Sequence, residues 1–266
     1  MPERLLTSSG GESLCPSQCR SARVLLGVDY PHSGVPRMPL AVPRHRVIVF
    51  DVNETLLDIT VLEPLFALLF GAPCVMRRWF AELVLYSEAF TLSGRYRDFV
   101  DIGVAVLKML ASIHAVPLST RDEAQLADTM RRLPPHRDVE PALAMLGDAG
   151  FRLVTLTNSP PCAGKSPLDN AGLGHRFERQ FSVDTVRRFK PSPDAYDLVA
   201  RELGVERATL RLVAAHPWDT LGATAAGCAA ALVTRPGNAV LPIGPQPDVL
   251  GPDLLTVAEK IVAADS

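Results

Sequence analysis

The sequence lacks several features that would place it in a specialised class of protein. Its 27 Lys and Arg residues are balanced by 29 Asp and Glu residues, so no excess of basic residues points to nucleic acid. No apolar run reaches the ~18 residues of a membrane-spanning helix. The N-terminus also lacks the apolar segment of a secretory signal. We therefore expect no nucleic-acid partner, no membrane partner and a cytoplasmic location.

A cysteine framework is absent as well. The chain has 5 cysteines, an odd number, and they are scattered along it. Cys15 and Cys19 have a spacing that metal ligands use, but no second Cys or His pair with zinc-site spacing accompanies them. The sequence therefore predicts reduced thiols and no metal site.

The remaining composition is that of a globular protein. Hydrophobic residues make up 47% of 266 residues, enough for one large domain or for a domain with a sizeable insertion. Residues 1–44 are rich in Ser, Gly, Pro and Arg without a sustained period, which predicts a loosely ordered N-terminal extension. Met38 lies just before the first regular segment, and we hypothesise that it is the true start.

From residue 45 onward, strand and helix patterns alternate. The apolar run from Val47 to Phe50 predicts a strand buried on both faces. Alternation of this kind predicts an α/β fold, a Rossmann-like doubly wound parallel sheet with helices on both faces. The other predicted strands are Arg152–Thr157, Leu210–Ala214 and Ala229–Thr234, with Leu254–Val257 either a short strand or the start of a helix.

Between the first two strands the pattern is helical throughout. Four stretches have helical apolar spacing, and Leu133-Pro134-Pro135 marks a hinge where the chain returns. We predict an all-α cap domain over residues 59–133, inserted into a core domain of residues 45–58 and 134–266. The four stretches are Val61–Phe70, Val75–Phe90, Arg97–His114 and Glu123–Arg132.

Four polar segments lie at the ends of predicted strands or just after them, and one of the four, Phe189–Pro193, immediately precedes a predicted helix. Because the carboxyl ends of parallel strands meet in one crevice, we expect these segments to converge there. A carboxylate at such a position, like Asp51, can act as a nucleophile and form a covalent ester. The segments are Asp51–Thr55, Thr157–Pro160, Phe189–Pro193 and Ala214–Asp219.

Each residue also has a purely structural interpretation. Asp51 could cap a turn, and Asp219 could be the N-cap of the helix that follows. Lys190 could be a surface lysine beside a helix start, and His216 could be a packing residue rather than a metal ligand. The order and spacing of the segments together favour function.

That order is similar to the four motifs of the haloacid dehalogenase-like hydrolase superfamily, over roughly residues 45 to 265. Asp51 with Thr55 resembles the first motif, and Thr157, Lys190 and Asp219 resemble the next three. The opening Phe50-to-Asp58 segment, FDVNETLLD, the Lys190–Tyr196 segment and the Trp218-Asp219 pair most resemble the type II L-2-haloacid dehalogenases.

The resemblance implies a role for each matching residue. Asp51 would displace halide from the α-carbon by in-line attack, forming an ester that water then hydrolyses. Lys190 would keep Asp51 ionised, and Asp219 would orient Lys190 and help to activate the water. Thr55 and Thr157 would hold the carboxylates by hydrogen bonds.

Further residues would bind the substrate, a small carboxylate. Tyr196 matches a tyrosine near the family's active site, and Asn158 lies beside Thr157 at a strand end. The family uses a cap arginine to hold halide or carboxylate; Arg78 is the first candidate and Arg77 the second. Apolar cap helices make a homodimer reasonable, and the physiological substrate is left open.

Asn53 bears on a competing chemistry. Phosphatases of the superfamily place a second Asp two residues after the nucleophile as a general acid, and they bind Mg²⁺. An asparagine cannot deliver that proton, whereas halide leaves without protonation, so the sequence favours carbon–halogen chemistry without a cofactor. A Mg²⁺-dependent phosphatase, and a catalytically weak binding or regulatory protein, are the alternatives.

The chain departs from the dehalogenase pattern at three further positions. Ala214 and His216 stand where the family's fourth motif usually reads Ser-x-Asn, and Glu54 stands where glycine is common. We hypothesise that His216 serves as an additional base or orients water in ester hydrolysis.

Overall fold

The computed structural model describes residues 46–265. The predicted N-terminal extension, the suggested start at Met38 and the pair Cys15 and Cys19 lie outside the described residues.

Six parallel strands form the sheet, in the order β3-β2-β1-β4-β5-β6. β1 lies in the interior of the sheet with every residue buried, as its unbroken apolar run predicts. The chain leaves β1 toward one edge and returns to β4 on the other side, so the strand order reverses beside β1. The predicted α/β sheet is confirmed. The strands are β1 (Val47–Phe50), β2 (Arg152–Thr157), β3 (Arg179–Ser182), β4 (Leu210–Ala214), β5 (Ala229–Val233) and β6 (Val249–Gly251).

Helices connect the strands, and one long helical segment separates β1 from β2. The helices are α1 (Glu63–Phe70), α2 (Val75–Leu92), α3 (Phe99–Ile113), α4 (Thr120–Arg131), α5 (Val139–Asp148), α6 (Pro167–Asn170), α7 (Pro193–Leu203), α8 (Pro217–Ala225) and α9 (Leu254–Asp265). Short 3₁₀ turns occupy Ile59–Leu62, Gly174–Arg176, Val183–Thr185 and Arg207–Thr209.

Two strands were not predicted, and one ambiguous segment is resolved. β3 has two exposed charged or polar residues in its four, so no apolar pattern marks it. β6 has only three residues and follows a proline-rich loop. The segment from Leu254 is the beginning of a helix and not a strand.

The helical segment packs around Trp79 of α2. This indole is 1% exposed and donates a hydrogen bond to the Gly103 carbonyl of α3 at 2.9 Å. A Cβ at Gly103 would lie 3.3 Å from the Trp79 ring, so the two helices approach closely where a side chain is absent. The helices occupy Ile59–Arg131, within the range predicted for the cap. Their separation as a cap domain stays a prediction.

Within residues 46–265, a single helix with the length and apolar character to cross a membrane does not occur. Ile59–Phe70 and Val75–Leu92 meet those criteria only jointly, and they are bent by 109°.

Candidate active site

Asp51 stands at the carboxyl end of β1, beside the point where the strand order reverses. Its N–H donates to the Val213 carbonyl of β4 at 3.0 Å, which continues the sheet pairing by one residue. Its side chain is buried, and Oδ2 accepts a hydrogen bond from the Thr55 hydroxyl at 2.7 Å. The same hydroxyl accepts from the Ala215 N–H at 2.8 Å, so Thr55 links the turn after β1 to the turn after β4. The nucleophile candidate is therefore held from two strand ends.

Lys190 occupies one side of Asp51. Its ammonium donates to Asp51 Oδ1 at 2.7 Å and to Asp219 Oδ2 at 2.6 Å, and the lysine is 0% exposed. Burial by itself would lower the pKa of Lys190, but the charges of Asp219 and Asp51 outweigh it and raise the pKa. Lys190 is therefore a fixed cation between two carboxylates.

Asp219 and Tyr196 complete that side. The Tyr196 hydroxyl donates to Asp219 Oδ1 at 2.7 Å, and both side chains are buried. Burial raises the pKa of Asp219 against the opposing charge of Lys190. Burial would also raise the pKa of Asp51, but Lys190 and His216 outweigh it and lower the pKa below the ordinary value. Lys190 and His216 therefore hold Asp51 ionised.

His216 occupies the other side of Asp51. Its Nδ1 lies 3.1 Å from Asp51 Oδ2, and its Nε2 lies 2.9 Å from Glu54 Oε2. Burial lowers the pKa of His216, but the two carboxylates more than compensate and raise it to about 9. His216 is therefore an imidazolium at neutral pH, donating one hydrogen bond to each carboxylate.

Aromatic rings hold His216 in place. The Phe80 ring of α2 stacks on the imidazole with 5.6 Å between centroids, and the Trp218 ring stacks on it at 5.2 Å. Because Phe80 comes from the helical segment, that segment covers the strand ends at this point. Trp218 is partly buried and packs against the hydrophobic core beside the site.

Arg77, not Arg78, is the arginine that α2 brings to the site. Arg77 forms an ion pair with Glu54 and donates to the Pro236 carbonyl at 3.0 Å, with 33% of its side chain exposed. Arg78 lies on another face of the helix, 52% exposed and 3.8 Å from Glu82. The two arginines face different surroundings because consecutive helical residues point about 100° apart.

The residues after β2 have partners other than those implied by the family resemblance. The Thr157 hydroxyl accepts from the Ser159 N–H at 3.1 Å, and within residues 46–265 it makes no hydrogen bond with Asp51. Asn158 Oδ1 accepts from the Lys190 N–H at 3.1 Å, which fixes the backbone that supports the ammonium. Asn53 Nδ2 donates to Ser159 Oγ at 3.2 Å. Thr157 and Asn158 thus shape the turn around the site.

Arg235 is a supporting residue that the sequence analysis missed. It follows β5, and its Nη2 donates to the Thr55 carbonyl at 2.9 Å, while Nη1 donates to Asp138 at 2.7 Å. It therefore anchors the turn after β1 from beneath. Its position just after a strand end was the available signal, since the other site segments occupy the same kind of position.

This arrangement suits displacement by an ionised carboxylate. Asp51 is the buried anion, and cations stand on both sides of it at hydrogen-bond distance. Within residues 46–265, no group of three or more His, Cys, Asp or Glu side chains has an arrangement that could hold a metal ion.

A family model for haloacid dehalogenase-like hydrolases matches residues 45–227. The chain belongs to the haloacid dehalogenase-like hydrolases. An (S)-2-haloacid dehalogenase of Pseudomonas sp. (strain CBS-3) is 30% identical over 226 residues, 83% of this chain and 98% of the relative. An (S)-2-haloacid dehalogenase of Xanthobacter autotrophicus is 30% identical over 71% of this chain and 75% of the relative.

Solved structures of dehalogenases resemble this haloacid dehalogenase-like hydrolase over most of its length. An L-2-haloacid dehalogenase has a TM-score of 0.77 at 28% identity, covering 81% of this chain and 98% of its own. The Xanthobacter autotrophicus L-2-haloacid dehalogenase with chloropropionic acid covalently bound has a TM-score of 0.75 at 26% identity, covering 83% and 99%. The predicted superfamily and its dehalogenase subgroup are confirmed as the chain's relatives.

Proposed function

We propose that this protein hydrolyses the carbon–halogen bond of small 2-halocarboxylic acids through an ester formed on Asp51. The observation that supports it most directly is the ionised, buried Asp51 carboxylate held by Lys190 at the carboxyl end of β1. The dehalogenase relatives, one with a haloacid covalently bound, support the same chemistry.

In the first step an Asp51 oxygen attacks the α-carbon from the side opposite the halogen. The new C–O bond forms as the carbon–halogen bond breaks, and the halide leaves with the bonding electron pair and with inversion at carbon. Thr55 and Lys190 hold the carboxylate so that its attack needs little reorganisation. Asn53, an amide hydrogen-bonded to Ser159, need not supply a proton because halide leaves as an anion.

Arg77 is the residue we propose for the substrate carboxylate. A guanidinium has five N–H donors, and Glu54 and the Pro236 carbonyl use only part of them. Its partial exposure lets the remaining donors reach a ligand. Asp219 then orients Lys190 through their hydrogen bond while water cleaves the ester.

The test is halide release from 2-chloropropionate by the purified protein, with and without EDTA. We expect release that resists EDTA and that Asp51→Asn abolishes, since an amide of the same shape is not a nucleophile. An isotope readout checks the ester directly: a single turnover in ¹⁸O-water should label the Asp51 peptide. No halide release, or release unaffected by Asp51→Asn, would overturn the proposal.

A further inference from the structure

We propose that Glu54 and His216 form a dyad for the second half of the reaction, with His216 as the base that activates water against the Asp51 ester and Glu54 as its positioning residue. The proposal rests on the proposed function, because without an ester there is nothing for the dyad to hydrolyse. It gives a role to a histidine and a glutamate that replace other residues in the family pattern.

The geometry of His216 suits attack on the ester carbonyl. Nδ1 lies 3.1 Å from Asp51 Oδ2, so a water held by Nδ1 would stand next to the Asp51 Cγ. Phe80 and Trp218 stack on the ring from within the site and limit its rotation. The residue is 5% exposed, so few solvent molecules compete with that water.

Glu54 is held in an unusual backbone conformation. Its φ is 65°, in the left-handed region that favours glycine, and its side chain is nevertheless buried. Such a conformation in a non-glycine residue persists where the surroundings enforce it, and it is concentrated at functional sites. Here it directs a carboxylate inward beside the nucleophile.

Contacts fix both ends of Glu54. Oε2 lies 2.9 Å from His216 Nε2, and Oε1 pairs with Arg77. The backbone carbonyl lies 3.0 Å from His136 Nε2. A carboxylate on Nε2 keeps the proton on that nitrogen and leaves Nδ1, which faces Asp51, as the atom that exchanges protons.

The charge on His216 is coupled to the state of Asp51. Within residues 46–265, the charged groups that face the imidazole are Asp51 and Glu54. Lys190 pairs with Asp51, and Arg77 pairs with Glu54. The two rings that stack on the imidazole, Phe80 and Trp218, are uncharged. When Asp51 becomes an ester, the imidazolium loses one of its two anionic partners. Its pKa therefore falls, and Nδ1 can release its proton to solvent and become a base.

Ester hydrolysis by this dyad accounts for every proton. Nδ1 takes one proton from water as the water oxygen bonds to Asp51 Cγ. The bond from Cγ to the substrate oxygen breaks, and that oxygen takes the proton from Nδ1 and leaves as the alcohol of a 2-hydroxy acid. The Asp51 carboxylic acid passes its own proton to Nδ1, which restores the resting ion pair. One proton and one halide are released for each turnover.

Rapid-quench kinetics with 2-chloropropionate separate the two half-reactions. For His216→Gln we expect a halide burst of about one equivalent, at the rate of halide release in the unmodified enzyme. Steady-state turnover should fall on the order of 100-fold, the usual effect of losing a general base. Intact-mass measurement should show the ester accumulating on Asp51. For Glu54→Gln we expect the same pattern at about tenfold, the effect of about one pKa unit on the base.

The pH profile is the readout that a packing role would not change. The rate of ester hydrolysis in His216→Gln should rise about tenfold per pH unit, because hydroxide replaces the missing base. In the unmodified enzyme the rate should instead level off once the base has lost its proton. His175→Gln, an exposed histidine, is the matched control and should behave as the unmodified enzyme.

Two outcomes would overturn the dyad. If burst and turnover fall together in both variants, the residues act in the first step or in packing. If turnover is unchanged in both, His216 is not the base. Failure of the proposed function is distinct, since the unmodified enzyme would then release no halide from 2-chloropropionate.

Discussion

The two sides of Asp51 differ in how they are built. On one side, Lys190 joins Asp51 to Asp219 and Tyr196, and every one of these residues matches the family pattern. On the other side, His216 joins Asp51 to Glu54, and neither of these residues matches it. Both sides place one buried cation between two carboxylates.

The difference teaches which half of the reaction is constrained. Displacement of halide needs an ionised Asp51, and Lys190 keeps it ionised through an ion pair at 2.7 Å. Hydrolysis of the ester needs an activated water, and more than one kind of group can serve as its base. A histidine on the second side is therefore compatible with the same overall reaction.

The largest expected effect comes from removing the cation on the Lys190 side. Lys190→Met would leave two buried carboxylates facing each other, which should lower the free energy of unfolding by about 3–5 kcal/mol and abolish the halide burst. Urea unfolding and rapid-quench assays measure both. Lys108→Met, which removes an exposed ion pair with Glu123, should cost at most about 1 kcal/mol. Equal losses in the two variants would remove the special status of Lys190.

The His216 side should make the free energy of unfolding depend on pH. The pKa of His216 rises from 6.5 to about 9 in the folded chain. The contribution of His216 to the free energy of unfolding is fully present below pH 6.5. Between pH 6.5 and about 9, His216 is protonated in the folded chain but not in the unfolded chain, so the contribution is lost progressively as the pH rises. We expect a loss of roughly 3 kcal/mol across this window by urea unfolding. His216→Gln should flatten that slope, and an unchanged slope would rule out the imidazolium.

Tyr196→Phe tests a smaller part of the Lys190 side. The hydroxyl donates its one proton to Asp219 Oδ1 at 2.7 Å, and both groups are buried. Its loss leaves that oxygen with one partner fewer, and we expect a cost of about 1–3 kcal/mol in thermal or urea unfolding. Tyr86→Phe, at a tyrosine 37% exposed, should stay within about 0.5 kcal/mol. Matching costs would mean that the hydroxyl bond contributes nothing specific.

The smallest expected effect distinguishes two neighbouring arginines. Arg77→Gln should raise the KM for 2-chloropropionate about tenfold, the equivalent of one charge-assisted hydrogen bond of about 1.4 kcal/mol. Arg78→Gln should leave KM unchanged, because Arg78 is exposed and faces Glu82. Initial-rate kinetics on the two variants make the comparison, and the reverse pattern would return the substrate carboxylate to Arg78.

Much of the fold could be predicted because buried parallel strands are rich in apolar residues. β1, β2 and β4 have the predicted bounds, and β5 ends one residue earlier than expected. β3 and β6 were not predicted. β3 is an edge strand with exposed side chains and β6 is only three residues long, so neither has a periodic apolar pattern. Cytoplasmic location and a homodimer stay predictions.

The residues of the candidate site also fall into two groups, those that the sequence predicts and those that only the packing reveals. Asp51, Lys190, Asp219 and Tyr196 could be named from sequence because their order and spacing resemble the family motifs, and the structure brings them together. The choice between Arg77 and Arg78 needed the helix register. Arg235 needed the packing of the segment after β5 beneath the turn that follows β1.

By itself, the sequence determined the α/β core, the helical insertion and the order of the reactive residues, since these depend on local apolar patterns and on spacing. Only the tertiary structure decided what Glu54 and His216 do. Their side chains lie 162 positions apart in the chain, and they meet because β4 returns beside β1. Pairing across that distance depends on the whole sheet, and no local pattern encodes it.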